Sequence, residues 1–343
     1  MEVKTLTPLW TGGTKSGAVD RVHETGIIGS LRWWFEVMVR GMGGEACNPT
    51  AAEEKCIYDA EKPNKGICRV CEIFGATGWR RLFRLVVDDY TKPDPSVEPM
   101  VEASRSYTDS REKKRQPSWY FPKNLQDKPR TGNLVVQIYN TMPDFQPAII
   151  GGLLQFMADW AAIGARNQLG FGVFQLPSGR IDTKPLYEYL VERTGTRTYT
   201  MLPSLQNIFL ARIRLENATV QDTFNLKYDI RQLFSGQQNK SLRHFVMGTT
   251  KDQRIAAKVK ISRPYNNGLI RVWGWIPEEA GIYKNSWNRE KIIDAIYQHL
   301  SKNYTLEVWR EMDSPRDTVT SNISSAQTFL RSILGLREED DEA

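Results

Sequence analysis

The spacing of apolar positions along the chain changes several times, and each change marks an element. Val3 to Trp10 is an extended apolar segment closed by the turn signal Thr11-Gly12-Gly13, with a polar loop of small residues running on to Thr25. From Gly26 to Met42, Ile27, Leu31, Trp34, Phe35 and Met38 recur every three or four residues. With Thr25 as N-cap and Gly43-Gly44 as the stop, this spacing predicts an amphipathic helix. Arg32, Glu36 and Arg40 stand four apart on its other face and read as a salt-bridged, solvated stripe. Leu82 to Val87 and Leu134 to Tyr139 read as strands. Pro147 opens a second helix that buries Ile150, Leu153, Leu154, Met157 and Ala161. A glycine-rich segment, Ile163 to Phe174, then leads into a further strand.

Strand, helix, strand, strand, helix, strand is the ferredoxin-like βαββαβ plan. The second half repeats it more faintly. Ile208 to Leu215 is a strand, Thr223 to Phe234 a helix, and Ala256 to Arg263 pairs with Leu269 to Trp275 across Asn266-Asn267-Gly268. Arg289 to Leu300 and Tyr304 to Trp309 complete the copy. A last helix runs from Ser321 to Leu334, with Gly335 as its stop. The predicted class is therefore α+β, with two tandem ferredoxin-like domains carrying insertions. Residues 1–185 form the first domain, with a cysteine loop and a basic insertion. Residues 200–343 form the second, with the terminal helix and tail, and Gly179 to Pro203 is the junction. A length of 343 residues suits two domains.

Composition adds little beyond this, but charge does. The chain carries a formal +6, and five of its 40 acidic residues crowd the last six positions, so the body without them carries about +11. A basic body with a short acidic end suits a polyanionic partner. Residues 102–131 hold eight Lys/Arg against four Asp/Glu, interleaved with Tyr107, Trp119, Tyr120 and Phe121. This is either a loop that stacks on bases and holds phosphates, or a solvated hairpin whose aromatics pack on the core. The longest apolar stretches, such as Ile149 to Met157, fall short of the ~20 residues a bilayer span requires, and the N-terminus shows no signal-peptide pattern. A soluble, cytoplasmic protein with no membrane partner is expected.

All four cysteines, Cys47, Cys56, Cys68 and Cys71, fall in one short stretch with the spacing C-x8-C-x11-C-x2-C. That spacing suits a tetrahedral thiolate zinc site, in which four protein ligands close the shell and the metal staples a loop. Buried free thiols, or a disulfide of the kind found in thermophile intracellular proteins, are the alternatives.

The segment Gly164-Ala165-Arg166-Asn167-Gln168-Leu169-Gly170-Phe171-Gly172 places three glycines, an arginine and two amides between a helix and a strand. Glycines at positive φ can expose backbone N–H groups and let a sugar-phosphate chain approach while Arg166 supplies charge. A structural turn that docks helix on sheet explains the same pattern. A Walker loop is absent, since Gly12 to Gly17 lacks its spacing; Lys15 within it either meets phosphates or belongs to an ordinary loop.

Three segments carry a resemblance: Thr7-Pro8-Leu9-Trp10-Thr11-Gly12-Gly13, Gly29-Ser30-Leu31-Arg32-Trp33-Trp34-Phe35-Glu36, and Cys71-Glu72-Ile73-Phe74-Gly75-Ala76-Thr77-Gly78-Trp79. With the glycine loop, they resemble the RAMP superfamily of CRISPR proteins, specifically the family of first subunits of the type III-B (Cmr) effector complex. The resemblance implies that the two ferredoxin-like domains are RRM-like and packed together, and it implies partners: guide RNA near its 3′ region, target RNA, and the other Cmr subunits. It also implies that slicing belongs to a different subunit. The family's glycine-loop contacts carry over to Gly164, Arg166, Gln168, Gly170 and Gly172. Lys15, Arg21, Arg32, Arg80 and Arg81 are the further candidates for phosphate contacts, and His23 is an RNA-contacting or surface histidine. The second half has no comparable Gly-x-Gly loop; Phe234-Ser235-Gly236 and Asn266-Asn267-Gly268 come nearest.

Some RAMP proteins cut RNA with histidine chemistry, so His23, beside Asp20, Arg21 and Glu24, is the candidate for a metal-independent endoribonuclease. His244 and His299 belong to the other half, which leaves His23 without a second proton-transfer partner. Asp88-Asp89 at a strand end could hold magnesium or be solvated turn residues. The expectation is a non-catalytic RNA-binding subunit.

Overall fold

Two four-stranded antiparallel sheets organise the chain. The first joins β1 (Glu2–Thr5), β2 (Phe83–Asp89), β3 (Asn133–Asn140) and β4 (Phe174–Gln175) in the order β4-β1-β3-β2. The second joins β5 (Ile208–Arg214), β6 (Val259–Ile261), β7 (Leu269–Trp275) and β8 (Thr305–Arg310) in the order β6-β7-β5-β8. Counted within each half, both sheets therefore run 4-1-3-2. The computed structural model describes the whole chain except residues 15–18, 62–65, 99, 110, 121–127, 236–239, 250–253, 284–286 and 338–343. Lys15, Phe121, Gly236 and the acidic tail lie outside the described residues. The result is a mixed α/β protein on antiparallel sheets, and among the described residues no helix is long and apolar enough to cross a membrane.

Helix α1 (Glu24–Gly41) follows β1 as its apolar period predicts, although it starts two residues earlier, with His23 rather than Thr25 at the N-cap. Helix α2 (Arg69–Phe74) sits in the cysteine loop and α3 (Ala148–Trp160) packs beside α1. β1 is shorter than the predicted Val3 to Trp10. Pro8 lacks an N–H, and the amides of Leu6 and Thr7 go to the Val173 carbonyl while that of Leu9 goes to Arg130. The junction is not a plain linker: it holds α4 (Lys184–Val191), with Pro185 in its first turn. In the second half, α5 (Val220–Leu233) opens with a Thr219–Asp222 capping box, and α6 (Lys240–Met247) is an addition to the predicted plan. Helix α7 (Arg289–Asn303) is capped by the Asn288 side chain, and α8 (Ala326–Ile333) starts later than predicted, at the Ser325 cap. The basic insertion forms paired ribbons, Met100–Glu102 with Ser118–Tyr120 and Tyr107–Thr108 with Lys114–Arg115. Its Trp119 ring packs 5.0 Å from Phe224, whereas Tyr107 is exposed.

The predicted solvated stripe on α1 is a correction. Glu36 and Arg40 are buried, and Glu36 bridges Arg32 at 3.1 Å and Arg40 at 3.2 Å. The face that looked solvated lies against the cysteine loop and the second half, where Arg40 also donates to the carbonyls of Cys47 and Pro203.

The second sheet buries both faces. Phe209, Ala211, Ile213, Ile270 and Val272 point into a core with α5, α6 and α7. The alternating positions Ile208, Leu210 and Trp273 join the core of the first half. Helix α8 joins that same core through Phe329, Leu330 and Ile333, and Trp160 Nε1 donates to the Ile333 carbonyl at 2.8 Å. Between the sheet and the end of α3 lies the buried Arg271. Its guanidinium donates to the carbonyls of Met157 (3.3 Å), Ala158 (2.6 Å) and Ala161 (2.7 Å), and its Nε to the Tyr265 hydroxyl (2.8 Å). The Met157 carbonyl also accepts from the Ala161 amide, whereas those of Ala158 and Ala161 lie at the helix C-terminus, where intrahelical donors run out. Arg271→Met takes the guanidinium donors from the Ala158 and Ala161 carbonyls in a dry interface, and is expected to lower unfolding free energy by about 3–5 kcal/mol in urea titrations, with the slope unchanged.

Candidate nucleic-acid interface

The glycine loop is shaped by the protein's own backbone. A Cβ on Gly172 (φ +92°) would stand 2.0 Å from the Ile163 carbonyl oxygen, and one on Gly164 (φ +79°) would stand 2.4 Å from that of Trp10. On Gly170 (φ +85°) it would meet the Arg263 amide at 2.6 Å, so this turn is pressed against the second half. The amide of Gly172 donates to Pro8, that of Gly170 to Asn167 and that of Ala165 to Trp10. Gly170 and Gly172 are buried. The expected direct RNA contacts at Gly170 and Gly172 are corrected: these glycines fold the loop and leave no N–H free for a ligand.

What the loop does present is Ala165 to Gln168. Arg166 adopts φ 60°, a left-handed conformation unusual for a residue other than glycine, and its guanidinium lies 4.0 Å from the Trp10 ring centroid. Burial pushes its pKa down, and among the described residues it forms no ion pair. Gln168 is exposed, and its carbonyl accepts from Lys227 Nζ at 2.7 Å. Ser30 Oγ donates to the Gly164 carbonyl at 3.1 Å and so ties the loop to the first turns of α1.

Arg21 and His23 join this edge through Thr11, the neighbour of Trp10. The His23 amide donates to Thr11 Oγ1 at 2.9 Å, and the His23 ring lies 2.6 Å from Asp20. That hydrogen bond holds the Asp20 carboxyl below its usual range. Arg21 is held by Glu24 through two contacts of 3.1 Å, which raise its pKa. Asp89 is a structural acceptor for the Val22 amide (2.8 Å) and for Thr91, and Arg130 lies 3.4 Å away.

Three other candidates are elsewhere, and their placing is a correction. Arg32 donates to Glu36, to the Gly75 carbonyl (2.9 Å) and to Cys71 Sγ (3.1 Å), so it serves the cysteine cluster. Arg80 is exposed and Arg81 donates to the Phe83 carbonyl at 2.7 Å. Both sit at the start of β2, roughly 20 Å of strand from Asp89 and the His23 edge.

The four cysteine sulfurs lie within 4.8 Å of one another and could hold a metal ion. Cys47 and Cys71 sulfurs are 3.6 Å apart, near the ~3.8 Å edge of a tetrahedron with ~2.3 Å metal–sulfur bonds and far beyond a disulfide. The Cys68 amide donates to Cys56 Sγ and the Cys71 amide to Cys68 Sγ, as befits thiolates. Hydrogen bonds from Cys47 and Cys71 push the Cys68 thiol down, while its neighbours push Cys71 up and burial pushes Cys56 up to about 11. Without a cation, four sulfurs this close cannot all ionise.

Along α1 runs a groove of about 710 Å³. It is lined by Gly26, Gly29, Ser30 and Trp33 of α1, by Gly164 and Asn167 of the loop, and by Lys260, Trp273 and Trp275 of the second sheet with Lys258 just before β6. These second-half groups were invisible in the sequence, where 256–275 reads only as a strand pair. Asn266-Asn267-Gly268 is a hairpin turn whose glycine Cβ would meet the Leu215 carbonyl at 1.9 Å, and it borders a separate hollow of about 500 Å³ with Glu216 and Pro264. Burial, reinforced by Lys260 and Arg231, pushes Lys227 down to about 7; burial pushes Lys258 and Lys260 down to about 8.

The family model for RAMPs, the RAMP superfamily, matches residues 2–175. No curated protein matches the sequence. Among solved structures, the crystal structure of Cmr1 from Pyrococcus furiosus in its apo form is similar at 12% identity and a TM-score of 0.45, covering 89% of this chain and 97% of that one. A chain of the type III-B Cmr-beta complex bound to cognate target RNA and AMPPnP is similar at 12% identity and a TM-score of 0.45, covering 88% of this chain and 98% of that one.

The lysines make a pH prediction. An unfolded lysine keeps its proton to about pH 10.4, so between that value and about 7 the unfolded chain binds more protons than the folded one at Lys227. Stability is therefore expected to rise with pH across this window. Lys227→Met should melt higher than the parent at pH 7 and show a shallower rise toward pH 10.

Proposed function

Because the chain belongs to the RAMP superfamily, we propose that it is a non-catalytic RNA-binding subunit of a type III-B (Cmr) CRISPR effector complex, engaging guide RNA and target RNA beside the other Cmr subunits. One observation carries this reading: Arg166, a cation with no ion-pair partner among the described residues, rests on Trp10 in the glycine loop, whose Gly164 and Asn167 line a groove of about 710 Å³. Phosphate contacts of this kind give affinity without sequence preference, which suits a protein that must accept many guides. Residues 1–185 and 200–343 are two tandem ferredoxin-like, RRM-like units; the shared 4-1-3-2 strand order supports this, and α8 crosses back to pack on the first.

The absence of catalysis in this proposal rests on the His23 surroundings. Its ring partner is the carboxylate of Asp20, and His244 and His299 lie on α6 and α7 of the second half. Cleavage of labelled RNA in EDTA that disappears in His23→Ala would make the protein an endoribonuclease instead.

Zinc is the metal the four thiolates suit. Cys47, Cys56, Cys68 and Cys71 would close its shell, leaving no open position, so the ion would staple the loop that carries α2 and set the position of Arg32. Protein purified without chelator should hold one equivalent of zinc, and its removal should lower the melting temperature by several degrees. Substoichiometric metal contradicts the assignment.

Single-stranded RNA binding should weaken steeply with salt. Arg166→Ala should lower affinity and reduce the slope of log K against log salt by about 0.7, the value of one phosphate contact on a single strand. An unchanged slope removes Arg166 from the interface.

A further inference from the structure

We propose that the second half supplies its own subsite for single-stranded RNA, in which Lys258 and Lys260 hold a backbone phosphate and Trp275, which lines the same groove as Trp33, receives the base of the same nucleotide unit. The inference rests on the RNA-binding reading above and extends it to the half that lacks a glycine loop.

Charge is the first argument. Lys258 Nζ donates to the Phe245 carbonyl at 3.2 Å and lies 3.5 Å from the Phe245 ring and 5.4 Å from that of Trp275. Lys260 Nζ donates to the Ala257 carbonyl, and Lys227 to that of Gln168. Among the described residues none of the three forms an ion pair, and the charged neighbours acting on them are one another and Arg231. The one carboxylate lining the groove, Glu36, is already bridged by Arg32 and Arg40. Half-buried cations gathered without a counter-charge are unfavourable on their own, and an anion seated among them supplies what is missing.

Shape is the second argument. In the same groove as the lysines, Gly29 has open space where a side chain would project, so the first turns of α1 offer bare backbone to a passing chain. The Trp33 and Trp275 rings are half-buried, with area left for stacking, which tolerates any base. A cationic strip, an aromatic platform and an uncluttered stretch of backbone are the parts a single-stranded binding groove combines. Phosphate alone would not require the two indoles.

The test uses the full chain, a fluorescent single-stranded RNA, and competition by AMP and by inorganic phosphate. Lys258→Met with Lys260→Met should weaken RNA binding at least tenfold and reduce the salt slope by about 1.4, two contacts' worth, while the free variant melts higher than the parent. Lys258→Arg with Lys260→Arg should keep the slope. Competition by AMP at far higher concentration than RNA supports a nucleotide unit held within a strand; equally strong competition by AMP and RNA would make the site one for free nucleotides and overturn the proposal. A parent that binds RNA with the double methionine variant unchanged overturns this subsite alone. A variant that both melts lower and loses affinity assigns the lysines a packing role. A parent with no affinity for RNA overturns the RNA-binding reading as well.

Discussion

The groove exists because the second sheet is held against the end of α3, and one buried guanidinium holds it there. Arg271 projects from the middle of β7 and gives its donors to the carbonyls of Met157, Ala158 and Ala161. An apolar residue at that position would pack, but it would take the guanidinium donors from the Ala158 and Ala161 carbonyls in a dry interface. The charge is tolerable because its terminal nitrogens meet carbonyls at the negative end of the helix dipole and its Nε meets the Tyr265 hydroxyl. Around it, Arg212 lies 4.5 Å from the Trp160 ring and Arg310 reaches both Asp317 and the Phe329 ring. The two halves thus form one core, and the position of β6 and β7 along the groove with α1 follows.

The glycine loop depends on the same juncture. Gly170 accepts the Arg263 amide at its carbonyl, Arg263 in turn lies over the Phe171 ring, and Lys227 grips the Gln168 carbonyl. The loop that carries Arg166 is therefore fastened at one end to α1 through Ser30 and at the other to the second half. A change far from the groove that loosens the halves would misplace Arg166 before it unfolded anything. The close approaches at Gly164, Gly170 and Gly172 explain why three glycines are needed in this loop.

Much of this architecture could be read directly from residue spacing. The periods of α1 and α3, the β-branched strands and the repeated order in the second half all follow from which positions are apolar. The errors have a common cause. Glu36 and Arg40 carry charges that look solvated along a single helix, and only the approach of the cysteine loop and Pro203 buries them. Gly170 looks like a ligand-facing glycine until Arg263 is placed on top of it. Arg32 and Arg81 are basic residues already engaged by nearby carbonyl or sulfur acceptors. The lysines of β6 and its flank were missed because nothing local distinguishes them; their meaning comes from what they face across about 230 residues of chain. Cys47 to Cys71 were legible because metal spacing is a local property.

The central claim is that RNA lies in the one groove bounded by α1, the glycine loop and β6–β7. Photocrosslinking the full chain to a guide and target RNA carrying 4-thiouridine, with the attached peptides identified by mass spectrometry, tests it most directly. Adducts should concentrate in peptides spanning 163–173 and 256–275. Adducts confined to the Arg80–Arg81 face or to the ribbons of 100–120, with none in those two segments, would contradict it.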